Sequence, residues 1–201
     1  SLAPYNWRYY AVDVPGTNNG QPVLGWELRV SDWAGATPTL VVRRGSLPSG
    51  TATSGMMNNS YPGQTTNWPA GGQWAAAGGD WTGMPLNPNG NTTNTAYLLS
   101  MAMGKPLEPG KYYIGIYNNS ANVTLTNCTL TSRGIGSGLW YEPVPVPFGV
   151  GAAFANLAPR DVAYFSVEIP SNQPSWKVRL ECASGEAALL IRKDLVPTYG
   201  D

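Results

Sequence analysis

The clearest alternation of apolar and small or polar positions is Lys111-Tyr112-Tyr113-Ile114-Gly115-Ile116-Tyr117. A period of two places Tyr112, Ile114 and Ile116 on one face and Tyr113, Gly115 and Tyr117 on the other, which predicts a strand. The same reading gives strands over residues 7–14 and 23–30, ended by Pro15 and by Ser31-Asp32, and over 40–44 and 96–101. Residues 123–131 alternate threonine with apolar residues, as a half-solvated strand does. Their phase reverses near Asn127, where a bulge is expected. The segment Gly16-Thr17-Asn18-Asn19-Gly20 is almost all turn residues, so the strands on either side of it are expected to form a hairpin-like pair.

Residues 49–94 break this pattern with Pro62-Gly63, Gly71-Gly72, Gly78-Gly79, Pro85 and Pro88, and they hold Tyr61, Trp68, Trp74 and Trp81. A stretch of this length without a period is normally functional or folds on itself. Ala75-Ala76-Ala77 fits one helical turn, and the flanking glycines argue against a longer helix.

The chain repeats itself. Leu2-Ala3-Pro4 and Tyr9-Tyr10-Ala11-Val12-Asp13-Val14-Pro15 return as Leu157-Ala158-Pro159 and Tyr164-Phe165-Ser166-Val167-Glu168-Ile169-Pro170, with six identities in fifteen positions. Farther on, Trp26-Glu27-Leu28-Arg29-Val30 answers to Trp176-Lys177-Val178-Arg179-Leu180, and Leu40-Val41-Val42-Arg43-Arg44 to Leu189-Leu190-Ile191-Arg192-Lys193. The expected organisation is a β-sandwich over residues 1–134 with the long loop at 49–94, a Gly/Pro-rich connector at 135–155, and a partial second unit at 156–201. The second copy carries only three strand signals, too few to close a sandwich. It is expected to be completed by the connector with other parts of this chain, or by protein outside it.

Composition narrows the partners. Of 201 residues, 12 % are charged, with 12 Lys+Arg against 12 Asp+Glu, so there is no basic footprint for nucleic acid or an anionic membrane. No apolar run is long enough to span a bilayer. Glycine (24) and proline (18) with 42 % hydrophobic residues describe a turn-rich all-β chain that still builds a core. Ser1 in place of an initiator Met suggests a processed or excised piece of a longer protein. Low charge with much Asn, Thr and Gly points to an extracellular setting. Cys128 and Cys182 are the only cysteines, either two buried free thiols, Cys182 sharing a strand face with Val178 and Leu180, or one bridge between the repeats.

With no histidine in the chain, imidazole-based triads and metal sites are excluded. Asp13 and Glu168 occupy equivalent repeat positions, which suits a strand surface better than two catalytic carboxylates. No catalytic residues are assigned. The candidate ligand-binding residues are Tyr61, Asn67, Trp68, Trp74, Asp80 and Trp81, because indole and phenol rings pack on sugar C–H faces while amides and acids supply hydrogen bonds. The alternative is that these rings tuck back onto the sandwich as a satellite cluster. No cofactor is expected. Asp80, Asn87, Asn89 and Asn91 offer oxygen ligands for a structural calcium without a spaced calcium motif, and satisfying their own loop backbone is the plainer role.

Three segments, Tyr9–Pro15, Leu40–Gly45 with Pro48, and Leu107-Glu108-Pro109-Gly110 through Tyr117, together resemble the bacterial pre-peptidase C-terminal (PPC) domain. That family shows YF-x-V-x-VP, DLYVRRG-x-xP and PGTYYVGVY strands in this order. The resemblance implies a jelly-roll-like antiparallel β-sandwich without catalytic activity, attached to secreted bacterial hydrolases or found in tandem in surface proteins. It also implies other domains of a parent protein, or an extracellular polymer, as partners; a polysaccharide is the polymer that the aromatic loop residues suit. Two departures stand out. Pro38-Thr39 and Ala187-Ala188 replace the family's acid before the LYVRRG run, and the loop at 49–94 is far longer than usual.

Overall fold

The computed structural model describes residues 1–50, 73–77, 96–101, 108–158 and 161–197, with side chains everywhere except at 73–77 and 96–101. Its strands are β1 (Trp7–Val14), β2 (Thr17–Asn18), β3 (Gln21–Gly35), β4 (Pro38–Arg44), β5 (Gln73–Ala77), β6 (Ala96–Met101), β7 (Gly110–Asn118), β8 (Leu125–Gly136), β9 (Val144–Pro145) and β10 (Phe165–Ser166). No helix occurs among the described residues. One sheet runs β1-β7-β4-β5. In the other, β3 lies between β6 and β8 and is joined at its start by β2. All of these ladders are antiparallel.

The two sheets face each other as a β-sandwich, and the alternation that predicted the strands selects the core. Trp26, Leu28 and Val30 from β3, Leu40 and Val42 from β4, and Tyr112, Ile114 and Ile116 from β7 are all buried in one cluster. The rings of Trp26 and Tyr112 meet across it at 5.2 Å. Polar atoms carried inside find partners, as burial without them would be costly. The Trp26 indole N–H donates to Ser132 Oγ at 2.8 Å and the Tyr112 hydroxyl to the Glu108 carbonyl at 2.7 Å. Burial pushes the Tyr112 phenol up to about 12.

The hairpin expected between residues 7–14 and 23–30 is not formed. Both segments bury an apolar face, and they do so from opposite sheets, β1 pairing with β7 and β3 with β6 and β8. The turn residues make a smaller hairpin instead. Thr17 and Asn18 pair with Pro22 and Gln21 around Asn19-Gly20, whose φ values of 48° and 78° are those of a tight primed turn. The bulge expected near Asn127 is present. One step on β3 from Ala34 to Gly35 spans two on β8 from Asn127 to Leu125, leaving Thr126 unopposed. Ala75-Ala76-Ala77 is a strand rather than a helical turn, pairing with Val41, Leu40 and Thr39 on the open edge of β4. Pairing to that edge overrides the weak helical preference of three alanines.

The second copy looks different from the first. Of its three expected strands, the described residues contain only Phe165–Ser166, paired in parallel with Val144–Pro145 of the connector, while 176–180 and 189–193 form no ladder. In the first copy β7 holds β1 and β4, the counterparts of 164–170 and 189–193, while β6 and β8 hold β3, the counterpart of 176–180; no second segment of the β7 pattern exists in the sequence.

Candidate functional site

Two groups of side chains outside the core have a geometry to be explained. The first is on the outer face of β3 and β8. Because Trp26, Leu28 and Val30 point inward, Glu27 and Arg29 point outward, and register puts Arg133 opposite Glu27 and Thr131 opposite Arg29. This face is covered by later parts of the chain. Fully buried Ile135 packs with Val196, Tyr141 and Tyr164, and the two tyrosine rings meet edge to face at 5.7 Å.

Beside that apolar contact four charges converge. Arg29 Nη2 lies 3.6 Å from Glu27 Oε1 and 3.5 Å from Asp161 Oδ1. Arg133 Nη1 lies 3.6 Å and 3.7 Å from the same two oxygens. Arg133 also donates to the Tyr141 hydroxyl at 2.6 Å, and that hydroxyl donates to Asp161 Oδ1 at 2.5 Å. The Arg133 guanidinium sits 4.8 Å from the centroid of the Trp140 ring. The cluster is neutral, two carboxylates against two guanidinium groups.

The acids respond in opposite directions. Burial pushes the Glu27 carboxyl above its ordinary value, more than Arg29 and Arg133 pull it down. For Asp161 burial acts in the same sense, but the Tyr141 hydroxyl, the Val162 N–H and both arginines outweigh it and hold its carboxyl below the usual range. Tyr141 is raised by burial and by its bond to Asp161. Glu27 Oε2 is buried without a hydrogen-bond partner, so the site is tight but imperfectly satisfied.

The second group is on the outer face of the other sheet. Trp7 on β1 stands opposite Tyr117 on β7, with Tyr9 opposite Gly115. The Trp7 ring stacks on Tyr9 at 5.5 Å and on Tyr117 at 4.6 Å. It lies across Gly115, where a β-carbon would come within 2.8 Å of the ring. Tyr9 remains 41 % exposed.

Of the six candidate ligand-binding residues, Trp74 is in β5 with its Cα opposite Val42. Tyr61, Asn67, Trp68, Asp80 and Trp81 lie outside the described residues, as do Asn87, Asn89 and Asn91. Among the described residues no group of three or more His, Cys, Asp or Glu is arranged to hold a metal, and no helix is long and apolar enough to cross a membrane. A groove of about 480 Å³ lined by Gly35, Ala36, Thr37, Thr39, Asn119, Ser120 and Val123 contains no titratable side chain. Both cysteines are free, Cys128 half-buried and Cys182 exposed rather than on a buried face with Val178 and Leu180.

Sequence reasoning missed the charged junction. The available signal was Glu27 and Arg29 two apart on the off-core face of a strand, where a solvated pair is the usual outcome; nothing nearby in sequence announces Asp161. No protein-family model matches the chain, and no curated protein or solved structure matches it either.

Proposed function

We propose that the chain is a non-catalytic extracellular accessory module, a spacer, stabiliser or adhesion unit of a larger secreted or surface bacterial protein. The observation that supports this most is the junction on β3 and β8. Its two carboxyls are shifted, yet they are paired with Arg29 and Arg133 of the same chain, and Asp161 accepts from the Tyr141 hydroxyl. Perturbed groups at an active site face a cleft and a substrate, whereas these face a neighbouring part of their own chain. The absence of histidine and the PPC-like motifs agree with that reading. Incubation of the full chain with polysaccharide and peptide substrates is expected to give no turnover. Turnover that survives repurification and is lost in Glu27→Gln or Asp161→Asn overturns the reading.

Binding of an extracellular polysaccharide is a second reading, favoured by the Tyr9–Trp7–Tyr117 stack and by the tryptophan-rich loop. Pull-down on insoluble polysaccharides, with Tyr9→Ala compared to Trp68→Ala, Trp74→Ala and Trp81→Ala, tests it. Loss of retention without loss of melting temperature supports binding, and equal retention by every variant removes it.

A further inference from the structure

Two turns meet at one end of the sandwich, and short polar side chains line the groove they form. Residues 36–37 join β3 to β4, and residues 119–124 join β7 to β8. The Ala36 N–H ties them by donating to the Thr124 carbonyl at 3.2 Å. Gly35 takes a φ of 82°, and a β-carbon there would run into that same carbonyl. The second turn is braced from within. Buried Asn118 bonds the Val123 carbonyl and the Ser120 N–H, and Ser120 Oγ accepts from the N–H groups of Asn122 at 3.3 Å and Val123 at 2.9 Å. The walls of the groove are therefore set by the fold itself, which lowers the ordering cost of binding.

Ser120 is used by its own turn, whereas Thr37, Thr39 and Asn119 are not. Among the described residues no hydrogen bond reaches the side chains of these three. Thr37 and Asn119 are exposed to solvent. Thr39 is different, because it is only 6 % exposed and lines the groove. A hydroxyl buried to that degree normally has a partner, and the groove is the side from which one can come.

The lining also selects the chemistry of that partner. The groove of about 480 Å³ is of the size of small-molecule sites, and its described walls carry hydroxyls, an amide and the apolar Ala36 and Val123, but no charge. An anionic or cationic ligand would give up its hydration there without an opposite charge in return. Aromatic rings adjoin it on the outer face of the sheet. Thr39 is opposite Tyr117 and Tyr117 is opposite Trp7, so the three make one row across β4, β7 and β1. Tyr117 stacks on Trp7 at 4.6 Å. Neutral hydrogen-bonding groups beside aromatic rings suit a molecule with hydroxyls and C–H faces.

We propose that this groove binds part of an uncharged saccharide chain, whose hydroxyls pair with Thr39, Thr37 and Asn119 and whose next ring lies against Tyr117. The inference rests on the polysaccharide reading above and puts its site at the end of the sandwich rather than in the tryptophan-rich loop.

Isothermal titration calorimetry tests it on the full chain with cellohexaose, maltohexaose, mannohexaose and chitohexaose, and with hexagalacturonate as the charged counterpart. At least one neutral sugar is expected to bind saturably, and hexagalacturonate is not. Thr39→Val and Asn119→Ala are each expected to weaken binding about tenfold, the loss of one hydrogen bond to the sugar. Asn119 is exposed, so its variant is expected to melt as wild type does, which separates a lost contact from a lost fold. If wild type binds none of the neutral sugars, the groove and the polysaccharide reading are overturned together. If binding is unchanged in both groove variants but lost in Tyr9→Ala or Trp68→Ala, the groove is overturned and the polysaccharide reading stands. Tighter binding of hexagalacturonate than of every neutral sugar also overturns the groove.

Discussion

Arg29 on β3 and Asp161, 132 residues later, meet at 3.5 Å on the face of the sandwich that points away from its core. The contact ties the start of the second copy to the middle of the first. Around it Glu27, Arg133 and Tyr141 complete a neutral cluster, and Ile135 with Val196 supplies the apolar part. A buried charged cluster adds little net stability over an apolar one, but removing one member leaves the others desolvated and unpaired.

The two carboxylates predict opposite pH limbs. The Asp161 carboxyl is held below its ordinary value, so its contribution is complete above that ordinary value and disappears as pH falls through the lowered one. Glu27 is raised, so its contribution is present below its ordinary value and disappears as pH rises through the raised one. Thermal unfolding from about pH 2 to pH 8 is expected to lose its acid limb in Asp161→Asn, and in Glu27→Gln to lose the decline on the neutral side. Asp161→Ala near neutrality is expected to lower stability by about 1–3 kcal/mol. Curves parallel to wild type for both isosteric variants contradict the assignment.

Gly115 is small because Trp7 lies across it. An added β-carbon would meet the indole at 2.8 and 2.9 Å and Pro48 at 3.4 Å. Gly115→Ala is expected to destabilise the chain by about 1–3 kcal/mol through overpacking, measured by denaturant unfolding. Combined with Trp7→Ala it is expected to cost less than the sum of the two single changes, since the clash is then gone. Simple additivity contradicts the contact.

Asn118 is fully buried and joins three chain segments. Its Nδ2 donates to the carbonyls of Leu2 at 3.0 Å and Val123 at 2.8 Å, while Oδ1 accepts from the Ser120 N–H at 3.0 Å. Asn118→Ala strands these groups at about 1–3 kcal/mol each, and is expected to lower the denaturation midpoint more than Asn122→Ala does. Asn118-Asn119-Ser120 is also a glycosylation triplet, and burial makes its amide inaccessible in the folded chain.

The cysteines give a direct chemical reading. Cys182 is exposed, while burial pushes the half-buried Cys128 thiol up and disfavours its thiolate. A thiol-reactive dye is expected to label one cysteine rapidly at pH 8 and the second slowly, with both labelled at once in denaturant. Two equal rates in the native state contradict the assigned environments.

The sequence allowed the first sandwich to be read because its strands carry their own partners. The alternation in residues 111–117 gave β7 and its buried face correctly, and Tyr113, Gly115 and Tyr117 share the outer face where Trp7 packs. Local alternation says which face is buried, though not which strand pairs with which, and so the turn between β1 and β3 suggests a hairpin that the two sheets do not contain. The junction was invisible for a related reason. Glu27 and Arg29 read as a solvated face, and it is Tyr141 and Asp161, distant in sequence, that meet them there. In the second copy the pattern of residues 164–170, 176–180 and 189–193 matches the first, but pattern alone builds none of the first copy's ladders where the partner strands are missing; only Phe165–Ser166 pairs, with Val144–Pro145.

The central claim is that the ladders made by β7 with β1 and β4, and by β6 and β8 with β3, separate the folded copy from the segments that repeat its pattern. Amide hydrogen exchange on the chain alone measures this most directly. The account predicts slow exchange through β1, β4 and β7 and fast exchange at 167–170, 176–180 and 189–193, despite their matching residues. Equal protection in both copies, at low protein concentration, would contradict it.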